Sequence, residues 1–105
     1  MEEMKINGSK VSEIVEKHGT PLYVYNEDKI REQYRELEES LCSRYDKVQI
    51  NYAVKSNFNP RIAEILLDEG AGLDCASRAE LELADRLDAA EVMYTAPYNR
   101  KDELE

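Results

Sequence analysis

Segments that favour strands alternate with segments that favour helices along most of this chain. Short runs rich in β-branched and aromatic residues occur at 22–25, 48–54, 72–76 and 92–95, and apolar residues at helical spacing lie between them. Strands that alternate with helices form a parallel sheet whose strands are joined by right-handed crossovers. The pattern therefore predicts an α/β fold with the element order α-β-α-β-α-β-α-β-α.

Capping residues predict where the helices begin and end. Proline follows Asn59 at the first helical position, and Glu80 stands three residues after a serine as in a capping box. Gly19 and Gly70 follow the ends of two helices. The residues predicted to cap helix starts are Ser9, Asn26, Asn59, Ser77 and Asn99.

The second and third predicted strands each have one apolar face and one small or polar face. Alternate residues of a strand point to opposite sides of the sheet. The apolar set is Val48, Ile50, Tyr52 and Val54 with Leu73 and Cys75, and the other set is Gln49, Asn51, Ala53 and Lys55 with Gly72, Asp74 and Ala76. Strands buried on both sides of a doubly wound sheet would be apolar throughout. The pattern instead favours part of a TIM (β/α)8 barrel, whose interior near the mouth forms a site.

In a barrel, Lys55 and Asp74 lie at the carboxyl ends of neighbouring strands. Barrel enzymes place their catalytic groups at that end. Lys55 is therefore a candidate catalytic residue, and the alternative is an ordinary solvated lysine that begins a loop.

Charge and composition argue against several classes of function. The chain has 105 residues with a net charge of −9, and its basic residues are scattered among acids, so neither nucleic acid nor an anionic membrane is an expected partner. The amino terminus is acidic and no apolar stretch reaches the length of a membrane span. Cys42, Cys75 and His18 are too few and too far apart for a metal site, and we expect reduced thiols in a cytoplasmic protein.

Three ordered blocks resemble one enzyme family. Residues 20–25 are similar to the entry segment of diaminopimelate decarboxylases, and residues 70–77, followed by Glu80, are similar to a strand of ornithine-decarboxylase-like proteins. The block around Lys55 resembles the Tyr-Ala-x-Lys-x-Asn signature of the fold-type III pyridoxal-phosphate decarboxylases: Tyr52-Ala53-Val54-Lys55-Ser56-Asn57. The resemblance covers about residues 11 to 105 in family order.

The resemblance implies a domain arrangement and an assembly. Family members have a TIM barrel that binds the cofactor and a separate β-domain, and they usually work as homodimers with active sites at the subunit interface. Residues 1–45 would then hold an amino-terminal helix, a strand of the β-domain at 22–25 and a lead-in helix. Residues 46–105 would be the first strands and helices of a truncated barrel.

The resemblance also assigns site residues. Lys55 would bond the aldehyde of pyridoxal 5'-phosphate and, once released, donate a proton to the product. Asp74 would pair with the released lysine, or else be a structural carboxylate at a strand end. Glu80 is a candidate cofactor-binding residue, although helix capping alone explains its position. Asn57 would orient the lysine loop or simply make a turn.

The implied activity is decarboxylation of a diamino or basic amino acid, with diaminopimelate to lysine as the first choice. Ornithine, arginine and carboxynorspermidine are alternative substrates. An alanine-racemase-like or cofactor-carrier protein fits less well, because residues 56–59 lack the Ala-Tyr-Gly run of racemases. Residues 96–99 depart from the Gly-Pro-Gly-Lys pattern of diaminopimelate decarboxylases, and no glycine-rich phosphate loop follows Lys55. An inactive fragment or a decarboxylase-like regulator is the non-enzymatic alternative.

Overall fold

The structure is a computed structural model that describes residues 2–96 and Lys101. Its four helices are α1 Val11–His18, α2 Glu27–Cys42, α3 Pro60–Asp68 and α4 Arg78–Arg86, and a 3-10 turn covers Val54–Ser56, all within the described residues. The strands of that same part of the chain are β1 Lys5–Ile6, β2 Ser9–Lys10, β3 Asn51–Ala53, β4 Gly72–Cys75 and β5 Val92–Tyr94. The helix predicted to begin at Asn99 lies outside the described residues.

A parallel sheet with the order β3-β4-β5 confirms the predicted alternation. Asn51, Tyr52 and Ala53 lie opposite Gly72, Leu73 and Asp74, and β4 pairs with β5 in the same direction. Helix α3 connects β3 to β4, and α4 connects β4 to β5. Within the described residues β3 is an edge strand, so its outer backbone groups have no strand partner.

One face of this sheet packs against α3 and α4. Val54, Leu73 and Cys75 have no solvent exposure, and they form one apolar cluster with Ala63 of α3 and Leu83 of α4. These are the residues that strand alternation assigned to the apolar face. The predicted apolar face is therefore confirmed for β4 and for Val54, which directly follows β3.

Helix α2 lies against α3 and is held there by charge as well as by apolar contact. Arg31 contacts both Asp68 and Glu69, and Arg35 donates two hydrogen bonds to Glu69 at 2.7 and 2.9 Å. The Arg35 and Arg31 guanidinium groups lower the pKa of Glu69. Burial, together with a hydrogen bond to Glu38, raises the pKa of the neighbouring Tyr34 to about 12.

The amino-terminal region contains a β-hairpin that is absent from the predicted element order. β1 and β2 pair antiparallel across Asn7 and Gly8, which both have positive φ angles (50° and 83°). Asn-Gly suits this kind of two-residue turn, so the signal was present in the sequence. Ser9 therefore lies in β2, and Lys10 precedes α1 without a side-chain cap.

Residues 22–25 do not form the predicted strand. A strand requires a neighbour that shares its backbone hydrogen bonds, and no described strand lies beside this segment. Its side chains are 40 to 89% exposed, with Leu22 the least and Tyr23 the most exposed. Membership of a separate β-domain sheet stays a prediction.

Candidate active site

Lys55 lies just beyond the carboxyl end of β3. The strand ends at Ala53, and the chain then turns through Val54–Ser56, closed by a hydrogen bond from Asn57 N to Val54 O at 3.1 Å. Val54 is fully buried, whereas Lys55 is exposed. The predicted strand was thus too long, because the buried Val54 side chain anchors a turn where the pattern suggested continued β-structure.

Asp74 lies at the same end of the sheet, on the neighbouring strand. The parallel register places Asp74 opposite Ala53. Lys55 follows Ala53 by two residues. The Oδ1 atom of Asp74 is buried and finds no hydrogen-bond partner among the described residues. An unpaired buried carboxylate oxygen is costly, so Asp74 is better suited to meet another group there than to act as a structural cap.

Ser77 caps α4 as predicted, whereas the Glu80 carboxylate accepts a hydrogen bond from a neighbouring amide and has one oxygen free. The backbone N of Glu80 donates to Ser77 Oγ at 3.3 Å, and Glu80 Oε2 accepts from Ala76 N at 2.8 Å. A regular capping box would bond the Ser77 amide instead. Glu80 is 5% exposed, and its Oε1 is buried without a partner in the described part of the chain. The end of β4 and the first turn of α4 thus each hold one unpaired carboxylate oxygen, on Asp74 and Glu80.

Cys75 lies between these acids in sequence but faces the apolar core. Burial first, and then the charges of Glu80 and Asp74, raise the pKa of its thiol to about 11. The thiol is therefore protonated at neutral pH and a poor nucleophile. Both cysteines are free. Residues 2–96 with Lys101 contain neither a metal-binding cluster of three His, Cys, Asp or Glu side chains nor a helix that could cross a membrane.

The turn of Lys55 is connected by hydrogen bonds to two tyrosines, Tyr52 and Tyr25. Tyr52 Oη donates to Asn57 O at 3.0 Å, and Asn57 Nδ2 donates to Tyr25 Oη at 3.0 Å. Tyr52 and Asn57 both belong to the signature block, so their spacing was a usable signal. Nothing local in the sequence connects Tyr25, which lies 32 residues earlier, to this turn.

A large apolar groove lies elsewhere, beside the open edge of β3. It has a volume of about 610 Å³ and is bounded by α2, β3 and α3. None of the three predicted site residues lines it. Tyr25 and Tyr52 do line the groove, so it adjoins the Lys55 turn, whereas Asp74 and Glu80 are not part of its lining.

Residues 27–105 match the family described as pyridoxal-dependent decarboxylase, pyridoxal binding domain. The chain belongs to this family. The family resemblance and the cofactor expected from the sequence are thereby confirmed, and the α/β architecture agrees with a partial barrel.

Several relatives of this pyridoxal-binding domain are similar over nearly the whole chain. Diaminopimelate decarboxylase from Methanothermobacter thermautotrophicus is 38% identical over 95% of the chain, and that from Pseudomonas aeruginosa is 36% identical over 97%. The chain covers 24% and 25% of those proteins. It thus spans about a quarter of the length of the relatives it matches.

Two solved structures share the fold. Diaminopimelate decarboxylase from M. jannaschii, in co-complex with L-lysine, has a TM-score of 0.82 and 31% identity, over 95% of this chain and 24% of that one. Lysine/ornithine decarboxylase from Vibrio vulnificus, complexed with cadaverine, has a TM-score of 0.78 and 30% identity, over 95% and 28%.

The residues at the strand ends fit a pyridoxal cofactor in part. An exposed lysine amine is the group that bonds the cofactor aldehyde. The unpaired oxygens of Asp74 and Glu80 can accept hydrogen bonds from a cationic group. Their negative charge does not suit a phosphate, so these two acids would serve the lysine end of the cofactor.

Proposed function

We propose that this chain is the amino-terminal part of a pyridoxal-phosphate-dependent decarboxylase that converts diaminopimelate to lysine. The observation that carries the proposal is the position of Lys55 just beyond β3, beside strand β4, in which Asp74 has an unpaired buried oxygen. Family membership supplies the cofactor. The diaminopimelate decarboxylases among the relatives, at 36 to 38% identity, support the substrate.

Lys55 has two tasks in this proposal. Its amine would hold the cofactor through the aldehyde and, once released by the substrate, would supply a proton to the carbon that has lost carbon dioxide. When bound, pyridoxal phosphate accepts the electron pair released with that carbon dioxide. An exposed lysine on a short turn can approach and withdraw without disturbing the core, because the buried Val54 fixes the turn beneath it.

Asp74 and Glu80 would hold the displaced lysine near the reacting carbon. Each offers one buried oxygen that no described residue uses. A protonated amine is the partner that compensates such an oxygen best, because the hydrogen bond is charge-assisted. Glu80 is additionally held by Ala76 N, so its free oxygen is kept in one place.

Borohydride reduction of the full-length protein with pyridoxal phosphate tests the cofactor lysine. We expect a pyridoxyl label on the peptide that contains Lys55, and the label should disappear in Lys55→Ala. The exposed Lys47 provides a matched control in Lys47→Ala, which should keep the label on Lys55. A label elsewhere, or none, would refute the assignment.

A second candidate substrate class is lysine or ornithine. The structural similarity to lysine/ornithine decarboxylase from Vibrio vulnificus favours it, with a TM-score of 0.78. Carbon dioxide release from diaminopimelate, lysine, ornithine, arginine and carboxynorspermidine, measured on the full-length protein, separates the candidates. We expect diaminopimelate to have the highest kcat/KM, and a preference for any of the others would replace it.

The proposed function also includes the domains, the assembly and the location of the full-length enzyme. Residues 1–45 contribute to a β-domain and lead-in helix, and residues 46–105 begin the barrel. The full-length enzyme works as a cytoplasmic homodimer in lysine biosynthesis. The isolated 105-residue chain is expected to be inactive, because it spans about a quarter of its relatives. Measurable turnover by this chain alone would contradict that expectation.

A further inference from the structure

The turn that carries Lys55 has little backbone support of its own. It spans three residues, Val54–Ser56, and is closed by the hydrogen bond from Asn57 N to Val54 O. A 3-10 turn has poorer hydrogen-bond geometry than an α-helix. Side-chain contacts around it therefore determine how firmly the lysine is positioned.

Asn57 provides those contacts from both ends of its side chain. Its Oδ1 accepts from Asn59 N at 3.0 Å, and because a backbone amide can only donate, this bond defines which end of the amide is oxygen. The Nδ2 group therefore faces Tyr25 Oη, to which it donates at 3.0 Å. The Asn57 carbonyl accepts from Tyr52 Oη, also at 3.0 Å.

Tyr25 belongs to a well-anchored part of the chain. The next residue, Asn26, caps α2 by accepting from Lys29 N at 3.1 Å. Glu27, which follows, contacts Arg61 at the start of α3 at 2.6 Å. The Tyr25 hydroxyl is thus carried by the beginning of α2, which is itself bound to α3, and it reaches the lysine turn from outside the sheet.

We propose that Tyr25 and Asn57 are positioning residues that hold the turn of Lys55, so that the amine meets the cofactor at one place. The inference rests on the proposed function, because it concerns the reaction of Lys55 with pyridoxal phosphate. Attack on an aldehyde depends on how closely the reacting atoms are held in the productive geometry. Loss of the Tyr25 hydroxyl should therefore slow the reaction of Lys55, even though Tyr25 need not touch the cofactor.

The test uses Tyr25→Phe in the full-length protein after its cofactor has been removed. Pyridoxal phosphate is added, samples are reduced with borohydride at intervals, and the label on Lys55 is quantified. We expect labelling about fivefold slower than in the unsubstituted protein, which is the factor that corresponds to one neutral hydrogen bond. Tyr23→Phe is the matched control, because Tyr23 is 89% exposed and should leave the rate unchanged.

A double-mutant comparison distinguishes loss of Lys55 positioning from a general loss of stability. Asn57→Ala should slow labelling at least as much as Tyr25→Phe, and the double variant should be no slower than Asn57→Ala alone, because both substitutions remove the same bond. Hydrogen exchange at the Asn57 amide, measured without cofactor, should be faster in Tyr25→Phe and unchanged in Tyr23→Phe. In steady-state assays of Tyr25→Phe with substrate, the fold decrease in kcat should be larger than the fold change in KM.

The outcomes distinguish this inference from the proposed function. If the unsubstituted protein is not labelled at Lys55, the proposed function fails and the inference fails with it. If Lys55 is labelled normally but Tyr25→Phe reacts at the unsubstituted rate, only the inference fails. A lower melting temperature with an unchanged labelling rate, or additive effects in the double variant, would likewise overturn it by showing a merely structural role.

Discussion

On one face of the β3-β4-β5 sheet, Leu73 and Cys75 are fully buried beneath α3 and α4. On the other face, Asp74 is only partly buried and keeps a carboxylate oxygen without a partner in the described residues. These residues are consecutive in β4, and they differ because successive side chains of a strand point to opposite sides. A single short strand therefore supplies both a stabilising core and a candidate site.

The contrast separates residues that hold the fold from residues left available for chemistry. Between α2 and α3, away from the strand ends, the Glu69 carboxylate is paired with Arg31 and Arg35. At the strand ends, the free oxygens of Asp74 and Glu80 lack such partners. Substitutions on the two sides should accordingly affect different measurements.

The largest expected effect follows replacement of Lys55. We expect Lys55→Ala to lower kcat of the full-length protein by about 10³-fold, since removal of a positioned proton donor typically costs about 10²- to 10⁴-fold. Its melting temperature should not change, because the Lys55 side chain is exposed. Carbon dioxide release and thermal unfolding are the two measurements. Activity within tenfold of the unsubstituted protein would remove Lys55 from the mechanism.

A substitution on the helix-packed face should show the opposite profile. Leu73→Ala deletes a side chain with no solvent exposure and should lower the free energy of unfolding by about 2 to 5 kcal/mol. Leu73→Met conserves volume and should cost less than about 1.5 kcal/mol. Urea unfolding measures both, while labelling of Lys55 in the folded protein should stay unchanged. If Leu73→Ala unfolds like the unsubstituted protein but Lys55 is labelled more slowly, the two faces of the sheet do not have separate roles.

Replacement of Asp74 tests the role of the sheet face opposite the apolar cluster. Asp74→Asn keeps the shape but removes the charge, and kcat should fall about tenfold to hundredfold, in line with one hydrogen bond to a charged group. The free energy of unfolding should be unchanged or higher, because an unpaired buried carboxylate oxygen is lost. Asp85→Asn, at an exposed position of α4, is the control. A destabilised Asp74→Asn protein with normal kcat would show a structural carboxylate.

The smallest expected effect concerns acid sensitivity at the contact between α2 and α3. The pKa of Glu69 is lowered from its usual 4.5 by Arg35 and Arg31. Its stabilising contribution is therefore complete above that usual value and is lost as the pH falls through the lowered one. Melting temperatures between pH 6 and pH 3 should fall less steeply in Glu69→Gln than in the unsubstituted protein. Glu36→Gln, exposed on α2, should keep the original slope.

Much of this architecture was predictable because its signals are local. Asn26, Asn59 and Ser77 each accept a hydrogen bond at the helix start where the sequence predicted a cap. Capping depends on residues within one turn, so neighbouring sequence is sufficient. The hairpin at Asn7 and Gly8 was equally local and was overlooked. Residues 22–25 form no strand among the described residues, because β-structure depends on a partner strand, which residue pattern alone does not provide.

Local pattern predicted the alternation of helices and strands from α2 onward, the apolar face of the sheet and the place of Lys55 at a strand end, and the signature block gave Lys55 its expected role. Tertiary structure decided that Lys55 lies in a turn rather than a strand, that Asp74 and Glu80 each keep a buried free oxygen, and that Tyr25 reaches Asn57. The physical reason is distance along the chain. Caps and strand alternation act over a few residues, whereas burial, unpaired oxygens and the Tyr25 contact depend on segments brought together only by folding.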